Sequence, residues 1–222
     1  MVRCHERVAI AALLIFLVAC TSASGVDEAE QIAEVLGLEP GMRVADVGAG
    51  DGEWSEELAL RVGASGHVYA TEVDEDDLED IRQRFGDAGL ENVTSILGDA
   101  EDTGLPEDCC DAILLRLVYH HFTDPVPMRA SLRQALRQGG VIAVIDIEPQ
   151  EDWRELPGVP DRGGHGIRPA DLVEEMTADG FDLVARFDEW GSEDDHYCVV
   201  FQRADKTVSG VEPEVAGAYQ GR

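Results

Sequence analysis

Between residues 27 and 203 the chain alternates strand-like and helix-like segments, and that alternation narrows its fold more than any other feature. Apolar residues at helical spacing over 31–36 lead into a short apolar strand at 42–47, and helical spacing returns over 53–62. The order then repeats as strand 67–73, helix 75–85, strands 93–97 and 111–117, helix 126–136 and strand 141–147. A Pro/Gly-rich stretch over 149–168 breaks the pattern, Pro169 opens a helix that Gly180 ends, and strands at 181–187 and 197–202 close the domain. This pattern predicts one doubly wound α/β domain, a mostly parallel seven-stranded sheet with helices on both faces.

In an open sheet of this kind ligands bind beyond the carboxyl ends of the strands, near the point where strand order reverses. The loops after strands therefore carry the functional information. The first runs Val44-Ala45-Asp46-Val47-Gly48-Ala49-Gly50-Asp51-Gly52, with glycines at every second position and an acid two residues before the first of them. Glycine lets the backbone approach a ligand and take positive φ. A dinucleotide fingerprint wants its third glycine at position 53, which is Glu53. Asp46, Asp51, Glu53, Glu56 and Glu57 crowd the loop and the helix start, where they repel a pyrophosphate but tolerate a sulfonium or ammonium cation. A nicotinamide-dependent oxidoreductase is disfavoured on both counts.

Further landmarks follow in order. Glu72 ends the second strand, 26 residues after Asp46; Leu97-Gly98-Asp99-Ala100 follows the third; the segment 111–125 holds the fourth strand and its loop; Gly139-Gly140-Val141 precedes the fifth. With this set, residues 27–203 resemble the class I S-adenosylmethionine-dependent methyltransferases, a Rossmann-like family. The resemblance implies S-adenosyl-L-methionine as cofactor. It places Glu72 on the ribose hydroxyls and Asp99, with Ala100, at the adenine, and assigns Asp46, Gly48, Gly50, Gly52 and Arg116 to the cofactor site as well. Gly139-Gly140 matches the family's usual turn from helix to strand.

The chemistry so implied is in-line transfer of a methyl group from sulfur to a nucleophile, where positioning supplies much of the acceleration and a base is needed only if the nucleophile carries a proton. The segment Arg116-Leu117-Val118-Tyr119-His120-His121-Phe122 follows the fourth strand, where the family places substrate-facing residues, and His165 lies in the Gly-rich stretch expected to cover the site. His120, Tyr119 and His165 are the candidate catalytic residues, His120 ahead of His165 because a strand end is the more rigid mount. Neighbouring side chains diverge, so His120 and His121 otherwise read as one structural and one exposed histidine. His196 reads as a surface residue, and Trp54 and Trp153 as pocket-lining or simply packed. No metal is predicted, since no Cys-His cluster has ligand spacing and Cys109, Cys110 and Cys198 read as small core residues.

Charge excludes a class of partners. With 46 acidic against 17 basic residues the formal net charge is -29, and Lys206 is the only lysine, so the chain has no basic stripe for nucleic acid and a small-molecule substrate is expected.

The start of the sequence carries a separate signal. Arg3 and Arg7 precede eleven unbroken apolar residues, 8–18, too short to span a bilayer and suited to a signal-peptide core. The tetrapeptide Leu17-Val18-Ala19-Cys20 resembles the bacterial lipobox, which implies a leader over 1–19 and a tether over 20–26 beginning at a lipid-bearing Cys20; at the other end, residues 204–222 read as a disordered tail. Membrane attachment through that lipid on the periplasmic side is the expectation, with Thr21 favouring the outer membrane; an unprocessed leader would leave the protein in the cytoplasm. Because S-adenosylmethionine is made in the cytoplasm, the alternative is a non-catalytic lipoprotein of the same fold that binds a small adenosine-containing or cationic ligand.

Overall fold

The computed structural model describes residues 28–150, 157–192 and 195–204. The leader, the tether, Trp153 and the tail from residue 205 onward lie outside the described residues. The elements run α1 (Glu28–Val35), β1 (Arg43–Val47), α2 (Glu53–Val62), β2 (His67–Glu72), α3 (Glu75–Ala88), β3 (Val93–Leu97), β4 (Cys110–Arg116), a 3-10 turn (Tyr119–His121), α4 (Pro125–Ala135), β5 (Leu136–Ile147), α5 (Pro169–Ala178), β6 (Phe181–Phe187) and β7 (His196–Arg203).

Seven strands form one sheet in the order β3-β2-β1-β4-β5-β7-β6. Strands β1 to β5 pair in parallel, and β7 lies antiparallel between β5 and β6. The chain winds outward from β1 to β3, returns to β4 beside β1, and continues the other way, so the switch point predicted to hold the ligand falls between β1 and β4.

Alternating side chains of the central strands feed two apolar layers. Ile113, Leu115, Ile142, Val144 and Phe201 pack against Met128 and Leu132 of α4 and Leu172 and Met176 of α5. Val44, Leu114, Ala143, Ile145 and Val200 face the opposite way, onto Ile32 of α1 and Leu58 and Val62 of α2. Both faces being covered, the run Ala112–Leu115 is apolar throughout and wholly buried. The three described cysteines, Cys109, Cys110 and Cys198, are free thiols buried in these layers.

Two expectations are revised. Strand β5 begins at Leu136, not at 141: Leu136 pairs with Cys110 and Val141 with Ala112, so Gly139 and Gly140 lie in a bulged insertion of the strand where a helix-to-strand turn was expected. His196 is only 9% exposed, because it opens β7 opposite Ile147 instead of preceding the strand on the surface. Among the described residues no helix is long and apolar enough to cross a membrane.

Candidate active site

The glycine loop turns the chain from β1 into α2 at the switch point. Gly48 has φ 74, and its N–H and that of Ala49 both donate to the Thr71 carbonyl at 3.0 Å, tying the loop to β2. A Cβ at Gly48 would stand 2.4 Å from Val118 Cγ2, so only glycine lets the segments after β1 and β4 close on each other. The acids nearby are held: Arg84 takes Asp51 at 2.9 Å and Glu56 at 3.2 Å.

Asp46, near the end of β1, is buried and accepts a 2.7 Å hydrogen bond from the Ser55 hydroxyl. Burial raises its pKa to about 6, with Glu72 adding to the rise while the Ser55 bond opposes it. The folded state therefore holds a proton that the unfolded chain releases near pH 4, and folding stability contributed by this group falls as pH rises from about 4 to about 6. Asp46→Asn should match wild type near pH 4 and exceed it by roughly 2 to 3 kcal/mol at pH 7, from 1.36 kcal/mol per pKa unit over a rise from 3.8 to about 6. Urea denaturation at both pH values checks this; an equal difference at each would refute it.

A cavity of about 300 Å³ opens beyond the strand ends. Gly48, Glu72, Asp99 and Ala100 line one side, from the ends of β1, β2 and β3, and Val118, His121, Phe122 and Met128 close the other. Four of the eight residues assigned to cofactor binding are thus brought together. Glu72 lies on the cavity wall; loss of water raises its pKa, and Asp77 and Asp74 push the same way. Among the described residues that carboxylate accepts a hydrogen bond only from the adjacent Val73 N–H. Asp99 uses Oδ1 to accept the Glu101 and Asp102 N–H groups, both at 2.8 Å, which folds the loop after β3 around it.

The other four do not line the cavity. Asp46, Gly50 and Gly52 shape the loop behind it. Arg116, at the end of β4, forms two 3.0 Å bonds to Glu28 and stacks its guanidinium over Trp54 at 4.7 Å. It locks α1 and α2 to the sheet, and Trp54 is its packing partner.

The catalytic candidates divide too. Leu117 leaves β4 with φ 55, uncommon for a bulky residue, and its N–H is fixed to the Ile145 carbonyl at 2.8 Å. That reversal lays the 3-10 turn across the end of β5. His120, 3% exposed, places Nδ1 2.5 Å from Asp146 Oδ1 and receives His165 Nε2 at 3.1 Å from its own Nε2. Asp146 is wholly buried and also accepts the His120 and Ile147 N–H groups. His121 faces the cavity beside them; loss of water, then the two neighbouring imidazoles, push its pKa down to about 4, and burial followed by His120 lowers that of His165.

Tyr119 goes elsewhere, which corrects its assignment. It is fully buried, donates its hydroxyl to Glu175 at 2.7 Å and accepts from Arg129 at 3.1 Å, with its pKa raised by burial and by Glu175. Its hydroxyl is committed to an ion-pair network between α4 and α5 and does not reach the cavity. Sequence reasoning missed Asp146. The signal was present: a single carboxylate inside the otherwise apolar run 141–147, which a buried strand carries only with dedicated partners.

Residues 38–194 match the family described as "Methyltransferase domain". Over 130 residues the chain is 29% identical to the ubiquinone/menaquinone biosynthesis C-methyltransferase of Bordetella parapertussis, covering 55% of this chain and 50% of that protein. A 112-residue stretch is 30% identical to the protein of the same name from Vibrio vulnificus, covering 50% and 43%. The chain spans about half the length of these curated relatives. A solved structure of a SAM dependent methyltransferase from Aquifex aeolicus matches with TM-score 0.68 at 22% identity, covering 83% of this chain and 94% of that one, a likeness of fold.

Proposed function

This chain belongs to the methyltransferase-domain family, S-adenosyl-L-methionine-dependent enzymes of the doubly wound fold, and from that premise we propose that it transfers a methyl group to a small-molecule acceptor held between the cavity and the histidine cluster.

The observation that carries this reading is the open carboxylate of Glu72 on the cavity wall, opposite an apolar surface from the segment after β4. The residues present fit the cofactor. Glu72 has acceptor capacity for a vicinal diol, Asp99 keeps Oδ2 for an amino group while Oδ1 holds its loop, and Gly48 leaves backbone where a side chain would obstruct. Val118, Phe122 and Met128 give an apolar wall that excludes water. When bound, S-adenosyl-L-methionine supplies an electrophilic methyl group on a cationic sulfur. The chain's part at the other end is to hold the acceptor and take its proton, and the imidazoles of His120, His121 and His165 are the groups placed there. Asp146 accepts from His120 Nδ1–H, which keeps the lone pair on Nε2, the nitrogen that faces the cluster.

The relatives' names concern carbon methylation in quinone biosynthesis. For this chain the net charge of -29 supports a small acceptor over a nucleic acid. The family match supports an enzyme over a binding protein of the same fold. A charge-assisted hydrogen bond contributes roughly 1.5 to 3 kcal/mol, so Glu72→Ala should weaken S-adenosylmethionine binding by about one to two powers of ten in calorimetric titration. Unchanged affinity in both Glu72→Ala and Asp99→Ala would remove the donor site from this cavity.

A further inference from the structure

We infer that His120, His121 and His165 form a binding site for a divalent transition-metal ion of the zinc type, with Asp146 as the carboxylate that orients the innermost ligand.

Three imidazoles meet although they come from two distant segments, and one ligand nitrogen from each lies within 4.8 Å of the other two. The His120 and His165 Nε2 atoms are 3.1 Å apart. Two nitrogens bound tetrahedrally at about 2.0–2.1 Å from one ion stand about 3.3 Å apart, so this pair is already at ligand spacing. His121 completes the set by a small side-chain movement, being the exposed member of the three.

The donor type narrows the ion. Three neutral nitrogens, without thiolate or directly ligating carboxylate, suit zinc, cobalt, nickel or copper and not magnesium or calcium, which take oxygen ligands. The surroundings are those of a ligating histidine. Asp146, wholly buried, accepts the Nδ1–H of His120 at 2.5 Å and thereby aims its Nε2 lone pair at the cluster, the carboxylate–histidine arrangement that tunes metal ligands.

The mounts are rigid. The positive φ of Leu117 sets the 3-10 turn that carries two of the ligands. His165 is stitched to the chain after β5 by paired backbone bonds with Gln150 at 3.0 and 3.3 Å, and Ile167 N–H adds a third to Ile147 at 2.9 Å. Gly166, with φ 128, makes this close approach feasible, since a Cβ there would stand 2.7 Å from the Glu148 and Ile147 carbonyl oxygens. Three protein ligands leave a position for an exogenous group, and His121 borders the cavity, so the open position faces the acceptor end. There the ion would lower the pKa of a bound hydroxyl or thiol acceptor. That role in transfer rests on the function proposed above; the binding of the ion does not.

The test uses the untagged full-length protein, stripped with a chelator and titrated with cobalt(II), followed by visible absorption, and with zinc by calorimetry. One ion per chain is expected, with His121→Ala and His165→Ala each weakening binding more than tenfold and Asp146→Asn weakening it about 10- to 100-fold. Circular dichroism and thermal unfolding of the same variants report whether they remain folded, and His121→Ala, an exposed position, keeps the test valid if Asp146→Asn does not fold. Absence of stoichiometric binding, or binding undiminished in folded His121→Ala and His165→Ala, overturns the site. A wild-type chain that binds one ion through these residues but transfers no methyl group leaves the metal site standing and overturns the proposed function instead.

Discussion

His120→Ala should lower the rate of methyl transfer at least about a hundredfold, roughly 2.7 kcal/mol of barrier, while S-adenosylmethionine affinity stays within about twofold of wild type. The effect is large because the ring has both nitrogens committed, Nδ1 to Asp146 and Nε2 to the cluster, in a position 3% exposed that water cannot fill with equivalent geometry. Whether the imidazole takes the acceptor's proton or holds the ion that acidifies it, alanine removes the group. The cavity residues Gly48, Glu72 and Asp99 lie at the ends of β1, β2 and β3 and keep their own hydrogen bonds. Single-turnover rates with any acceptor that wild type methylates, alongside calorimetric cofactor titration, provide the measurement. A folded His120→Ala protein with near wild-type turnover would leave in-line positioning as the sole contribution of the acceptor side.

Arg129→Met should lower the melting temperature by roughly 5 to 10 °C without weakening cofactor binding. Arg129 is 5% exposed on α4 and ties that helix to α5, through Glu175 at 2.8 Å and Asp179 at 2.5 Å, while also donating to the Tyr119 hydroxyl. Removing one member of a buried ion pair costs about 3 to 5 kcal/mol when the partner is left unpaired. Here the partner carboxylates retain some solvent, so roughly 2 to 3 kcal/mol is expected, at about 2 to 4 °C per kcal/mol for a chain of this size. Arg162 also contacts Glu175 at 2.9 Å and limits the loss. Differential scanning calorimetry reads the shift, and one smaller than 2 °C would show that the apolar contacts of Leu172 and Met176 alone hold α5 in place.

The sheet was legible because its central strands carry apolar runs, 112–115 and 141–145, and its outer strands are short loop-bounded segments, and the helices because their apolar residues recur at 3.6-residue spacing. Side-chain direction was not. Tyr119 and His120 are adjacent, yet one points into the α4–α5 layer and the other onto Asp146, a division made by the 3-10 turn and by the backbone reversal at Leu117 that no local pattern announces. Arg116 has the charge and position of a ligand-binding residue, and only the fold brings Glu28, 88 residues away, to neutralise it. The bulge that sets Leu136 opposite Cys110 depends on pairing across strands and leaves no periodic trace in either segment. Glu72 and Asp99 were singled out through the family resemblance, and both lie on the cavity wall because the parallel strands β2 and β3 end on the same edge of the sheet.

The seam between β1 and β4 also bears on how such a protein changes over generations. The polar side of the cavity, Glu72 and Asp99, precedes residue 105, while its apolar side, Val118, Phe122 and Met128, and the whole histidine cluster with its support follow residue 115. The two stretches touch at the cavity through Val118 against Gly48, where no side chain fits on the glycine side. A graft that replaces the later half therefore has several joints to respect: the size of the residue at 118 against a bare backbone at 48, the pair of Arg116 with Glu28, and the Ser131 hydroxyl on Asp102 and Thr103.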